Sequence, residues 1–254
     1  MKLISRLYIF LVLILILSCS SKKSIVYLNE FNESDPAKFL FQDHIISPGD
    51  ILKIDILTEN AFSNSKLSSN NINQSNRSRE SLIFDGFIVD NSGYIDFPSV
   101  GKIKVSKKSV NDVKLYIANK LIENDIYTDF VLDLKILNLN FTVLGEVNLP
   151  GKYYFDQPNF TIIEAIGMAG DLTITGKRND IKLVRLVDDK QIIFNIDLTN
   201  NNFLSSDFFQ IKSGDIIIVN PNKTRIKNAG IIGNSGTLIS LLSFILSSII
   251  VINN

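Results

Sequence analysis

Apolar and charged residues alternate from Ile51 to Leu57, with Leu52, Ile54 and Ile56 on one side and Lys53 and Asp55 on the other. A period of two predicts a half-buried strand. Similar runs predict strands over 82–90, 129–137, 141–147, 181–187, 191–197 and 215–219. Two stretches change to the helical period and carry start signals. Ser109-Val110-Asn111-Asp112 is a capping box, with Val113, Ile117 and Leu121 following on one face. Thr161-Ile162-Ile163-Glu164 is a second, opening a helix that stops at Gly170. The segment from Ser63 to Ser78 is dominated by Ser and Asn, which predicts a mobile loop inserted after the first strand. Mixed strands and short helices give an α+β fold, with a natural boundary near 138–140.

Both ends depart from this pattern. Lys2 and Arg6 precede an unbroken apolar run from Leu7 to Leu17, then Ser18 and Cys19. A basic start, an apolar run and a small residue before the cut make a secretory signal peptide over 1–18. As a helix the run covers about 16 Å, well short of a ~30 Å hydrocarbon core. Ile16-Leu17-Ser18-Cys19 resembles a bacterial lipobox, in which the thiol takes a diacylglycerol by thioether linkage. Cys19 is therefore the expected lipidation site, and 19–40 a polar tether opening on Ser20-Ser21-Lys22-Lys23. Two or three acyl chains anchor stably where one does not.

At the other end, 237–252 is uncharged and apolar, and predicts a transmembrane helix of about 24 Å, suited to a thin outer membrane. Gly230, Gly233 and Gly236 precede it as a hinge or cap. Thr237, Ser240, Ser243 and Ser247 form one narrow hydroxyl stripe on an otherwise Leu, Ile and Phe cylinder. In lipid such a stripe allows close helix packing or faces water. A buried C-terminal helix of a soluble core is the alternative.

Composition narrows the chemistry. The chain has 254 residues, 45% of them hydrophobic, and its 26 basic and 26 acidic side chains leave no net charge. That length makes one or two domains with a sizeable core. Balanced charge gives no footprint for nucleic acid, and no polybasic stretch marks an anionic lipid surface. One His and one Cys exclude an internal disulfide and a His/Cys zinc site, and a Ser-His-acid triad could rest only on His44. The segment from Gly170 to Lys177 has the look of a phosphate-binding loop. However, five residues separate its glycines where four are needed, and Arg178 follows the lysine in place of Ser or Thr. Asp188-Asp189-Lys190 reads as a solvated turn between strands, and His44, with no partner visible in the sequence, as a surface or packing residue. The sequons at Asn140 and Asn159 are ordinary in so Asn-rich a chain. No catalytic set, cofactor site or metal site emerges.

Three segments remain. Ile45-Ile46-Ser47-Pro48-Gly49-Asp50-Ile51 is a turn entering a strand. Val89 to Gly101, with Gly93 and Pro98, is a hairpin in which Gly93 suits a turn with positive φ. Phe141 to Tyr154, with Gly145 and Pro150-Gly151, reads as strand, Pro-Gly turn and strand, the Gly able to take positive φ. Then follow Glu164-Ala165-Ile166, Ala169-Gly170-Asp171 and Gly214-Asp215-Ile216. In this order the segments resemble the bacterial polysaccharide export lipoproteins, the Wza-like family. The resemblance covers nearly the whole chain after Cys19.

The resemblance implies a polysaccharide export domain over 41–138 and a β-grasp-like SLBB domain over 139–228, strand-rich and periplasmic, followed by the transmembrane helix at 237–252. It also implies a ring-shaped homo-oligomer in the outer membrane that passes capsular or extracellular polysaccharide, powered by an inner-membrane copolymerase, often with a tyrosine kinase. One β-grasp domain, where several relatives carry two or more, implies a shorter ring. Two other readings stay open: a monomeric periplasmic ligand-binding lipoprotein, and an inner-membrane chain-length regulator, for which long helices are expected.

Overall fold

The computed structural model describes residues 26–29, 39–58, 83, 85–98, 100–188 and 190–228, together with 236, 239, 240, 243, 244, 247 and 248. The signal segment, Cys19, the loop at 63–78, Thr237 and most of 237–252 lie outside the described residues.

The first half is organised around β1 (Ile51–Thr58), flanked by β2 (Phe87–Ile88) and β5 (Phe130–Ile136) in an antiparallel sheet ordered β2-β1-β5. Leu52 pairs with Ile136, Ile54 with Leu134 and Ile56 with Leu132, so the apolar sides of both strands share one face. Helix α1 (Val110–Glu123) covers that face with Val113, Ile117 and Leu121, all buried. Each such side chain contributes about 1.5–3 kcal/mol. Its capping box is formed: Ser109 Oγ accepts the Asp112 N–H at 3.1 Å, and the Asp112 carboxylate accepts the Ser109 N–H at 3.3 Å. A hairpin of β3 (Tyr94–Phe97) and β4 (Gly101–Lys104) adds Ile95, Phe97 and Ile103 to the core.

The second half is a five-stranded mixed sheet ordered β7-β6-β10-β8-β9. Its strands are β6 (Asn140–Gly145), β7 (Gly151–Tyr154), β8 (Gly176–Val187), β9 (Lys190–Ile196) and β10 (Asp215–Pro221). β6 and β10 run parallel and the other pairs antiparallel. Helix α2 (Ile162–Met168) buries Ile162, Ala165 and Ile166, and is started by the Thr161–Glu164 capping box. A 3₁₀ turn (Asn202–Ser205) and a short helix α3 (Lys223–Asn228) complete the elements. The buried residues of both halves form one contiguous apolar cluster.

Several expectations are corrected. Among the described residues of 82–90, only Phe87–Ile88 is strand. β8 begins at Gly176, five residues before the predicted start, because Arg178 takes an inward position that the apolar pattern reserves for a hydrophobic side chain. In the hairpin, Gly93 does take a positive φ, of 83°, but it precedes β3, and the β3–β4 turn closes at Gly101. No helix among the described residues is long and apolar enough to cross a membrane. The described positions between 236 and 248 are helical, and the rest of the transmembrane helix expected at 237–252 lies outside the described residues.

Candidate functional site

The second half holds a buried polar pair, Arg185 of β8 and Asp215 at the start of β10, strands of one sheet. Arg185 Nε donates to Asp215 Oδ1 at 2.9 Å and Nη2 to Oδ2 at 2.6 Å. Its remaining donors reach the carbonyls of Asp207 (3.0 Å) and Gln210 (2.7 Å). Both side chains are buried, Asp215 to 1% exposure. Burial pushes the Asp215 carboxyl above the usual range, while the hydrogen bonds and charge of Arg185 pull it back down. A buried pair of this kind is tolerable only because the partners satisfy each other's hydrogen bonds.

The segment that precedes β1 is held against this pair. Gln210 donates from Nε2 to the carbonyls of Gln42 and Pro158, both at 2.8 Å, and its Oε1 accepts the Gln42 N–H at 2.9 Å. Lys212 Nζ donates to Gln42 Oε1 at 3.0 Å. Burial lowers the Lys212 ammonium pKa, with the nearby Arg185 charge adding to the effect. Further along, Asp50 Oδ2 accepts the Ser47 N–H at 2.9 Å and lies 3.0 Å from His44 Nε2. His44 thus has a partner that the sequence did not reveal. Asp50 closes the Ser47-Pro48-Gly49-Asp50 turn, and Pro48 is exposed. Asn138 stitches the turn to the end of β5, accepting the Ile51 N–H at 2.9 Å and donating to the Gly49 carbonyl at 2.8 Å.

Between these parts lies a cleft of about 370 Å³, bordered by Gln42, His44, Phe155, Arg185, Gln210 and Lys212. Its two buried polar side chains, Arg185 and Gln210, spend their hydrogen bonds on the protein itself. The arrangement therefore does mechanical work, locking the pre-β1 segment onto the second sheet. Sequence reasoning missed Arg185 and Gln210. The available signal was an arginine in phase with Ile181 and Leu183 on the buried side of β8.

The remaining motif residues shape turns. Gly49, Gly93, Gly145, Gly170 and Gly214 adopt positive φ. Gly214 N–H donates to the Asn140 carbonyl at 2.7 Å, which sets Asp215 at the mouth of β10. Gly151, expected to take the positive φ of a Pro150-Gly151 turn, does not. It opens β7 opposite Val143, and the left-handed residue is Gly145 at the other end of the loop. Gly145 permits the Val219 carbonyl to approach, and Glu146 N–H bonds that oxygen at 3.1 Å. The loop from Gly170 to Lys177 has the opposite polarity to a phosphate cradle, since the carbonyls of Thr173 and Gly176 both point at Arg178 Nη1, 2.9 Å away. Ser240 and Ser243 donate to the carbonyls of Gly236 (2.9 Å) and Ile239 (2.7 Å), and Ser247 to Phe244 (2.9 Å).

Comparison with known proteins places this geometry. Residues 41–137 match the family model described as Polysaccharide biosynthesis/export protein, and residues 140–195 match the SLBB domain, together more than half of the chain. The chain is 27% identical over 142 residues to the EPS I polysaccharide export outer membrane protein EpsA of Ralstonia solanacearum, covering 54% of this chain and 37% of that protein. It is 33% identical over 104 residues to the protein of the same name from Ralstonia nicotianae, covering 39% of this chain and 27% of that one. The matched stretch thus spans about a third of the length of these curated relatives. With an export region whose β5 leads directly into an SLBB region, the chain belongs to the Wza-like polysaccharide export proteins.

Proposed function

We propose that this chain is the outer-membrane component of a polysaccharide export machine, one subunit of an oligomeric conduit for capsular or extracellular polysaccharide. The carrying observation is the unbroken succession of an export region and an SLBB region in one chain. The relatives, named as polysaccharide export outer membrane proteins, support the location. In this reading 1–18 is removed, Cys19 carries the lipid, the domains at 41–138 and 139–228 stand in the periplasm, and 237–252 inserts in the outer membrane. An inner-membrane copolymerase, with or without a tyrosine kinase, supplies polymer and energy.

Deletion of 237–252 tests the proposal. A conduit subunit loses surface polysaccharide while its periplasmic body still folds. Undiminished export would instead favour a monomeric binding lipoprotein. Cross-linking of the intact chain in cells should give a closed ladder of homo-oligomers, and a monomer alone would contradict the ring. A Cys19→Ser chain should lose labelling by a palmitate analogue; equal labelling of both chains would end the lipoprotein assignment.

A further inference from the structure

We propose that the tether is docked rather than free: Tyr27 occupies a cradle made by Asp171 and Arg178, binding the chain's own N-terminal segment to the corner between α2 and β8. The functional part of this inference rests on the lipid-anchor reading of Cys19 given above.

Four observations converge. The Tyr27 hydroxyl donates to the Asp171 carboxylate, 144 positions away in sequence. The ring of Tyr27 lies over the Arg178 guanidinium, with Cζ 5.4 Å from the ring centroid, within cation–π range. Leu28 N–H donates to the Leu198 carbonyl at 2.9 Å. Leu28 itself has a φ of 49°, a left-handed conformation that a leucine keeps only where its surroundings impose it. Arg178 is only 5% exposed, and its Nη1 already holds the Thr173 and Gly176 carbonyls, so the tyrosine closes the open face of a guanidinium that fixes the entry to β8. Burial, and then Asp171, raise the Tyr27 phenol well above its ordinary range.

Docking has a geometric consequence. Seven residues lie between Cys19 and Tyr27, and the eight Cα steps of that stretch, fully extended, reach at most about 28 Å. The lipid is therefore held on a short leash to the SLBB half. Released from its cradle, the leash lengthens toward the next point of attachment along the tether.

The test is hydrogen–deuterium exchange on the full lipidated chain in phosphatidylethanolamine–phosphatidylglycerol vesicles, with palmitate-analogue labelling of Cys19 in parallel. The wild type should show slowed exchange at Leu28 and across 172–178. Tyr27→Ala should lose that protection in both places while β1 and β5 exchange as before, and Tyr27→Phe, which keeps the ring over Arg178, should fall between. Exchange of 26–29 at the rate of a free peptide in the labelled wild type, or unchanged protection in Tyr27→Ala, would overturn the docking. Full protection with an unlabelled Cys19 would leave the cradle but overturn the leash, placing the fault in the lipid reading. A benzophenone amino acid at position 27 should cross-link within its own chain to 171–178, and capture of a second copy would overturn the intrachain assignment.

Discussion

The carbonyl oxygen of Val219 lies 2.1 Å from where a Cβ on Gly145 would sit, and Gly145 has a φ of 91°. Any side chain there meets both a backbone clash and a left-handed conformation, and the obstructing atom belongs to β10 and cannot rotate away. Gly145→Ala should therefore destabilise by about 2–4 kcal/mol. Gly151→Ala has only Tyr153 Cε2, at 4.0 Å, as a neighbour and should be nearly neutral. Thermal melts of the two variants check the contrast, and equal midpoints would refute it.

Arg185 and Asp215 should behave as a unit. Arg185→Met strands a carboxylate that is 1% exposed and should cost about 3–5 kcal/mol, a fall in melting temperature of roughly 10 °C. The double variant Arg185→Met, Asp215→Leu removes both charges and should regain most of that loss. Denaturant titrations give the four corners of the cycle, and additive losses would show that the pair is not coupled.

Glu146 gives the acid limb of stability a handle. Hydrogen bonds from the Thr175 and then the Thr173 hydroxyl, with the Arg225 charge beyond them, hold its carboxyl below the usual glutamate range. A depressed folded-state pKa means that the stabilisation is fully present above the unfolded value and is lost as the pH falls through the folded one. The wild type should thus melt above Glu146→Gln near neutral pH, and the gap should close as the solution is acidified below the usual glutamate range. A gap independent of pH would assign the effect to packing.

The serine stripe can be read by chemistry. Ser240, Ser243 and Ser247 spend their hydroxyls on carbonyls of their own helix, which removes the penalty of carrying them into lipid. Cysteines at 240, 243 and 247 should react with a hydrophilic maleimide if that side lines water, while cysteines at 242 and 245 stay protected. Ser243→Asp should then insert and alter export, whereas Leu242→Asp should block insertion, since a charge at the centre of a lipid-facing helix costs about 2.5–3.5 kcal/mol. Uniform labelling would mean that the segment is not embedded.

What the sequence determined by itself was everything governed by neighbours within a few positions. The alternation of Leu52, Ile54 and Ile56 specified β1, because side chains two apart share a face. The two capping boxes specified where α1 and α2 begin, because the bonds close over three residues. The ordered short motifs identified the family. Tertiary structure decided the rest, for reasons local pattern cannot carry. The first five residues of β8 were hidden because Arg178 stands where a hydrophobic side chain was expected, and only carbonyls folded back from the preceding loop make that place fit for a guanidinium. Gly145 rather than Gly151 took the left-handed position, because the constraint comes from Val219, more than seventy residues away in the chain. Arg185 with Asp215, Gln210 with Gln42, and Tyr27 with Asp171 are all polar side chains whose partners lie 30, 168 and 144 positions off. Desolvation makes such groups dependable only when the partner arrives, and the arrival is a property of the fold.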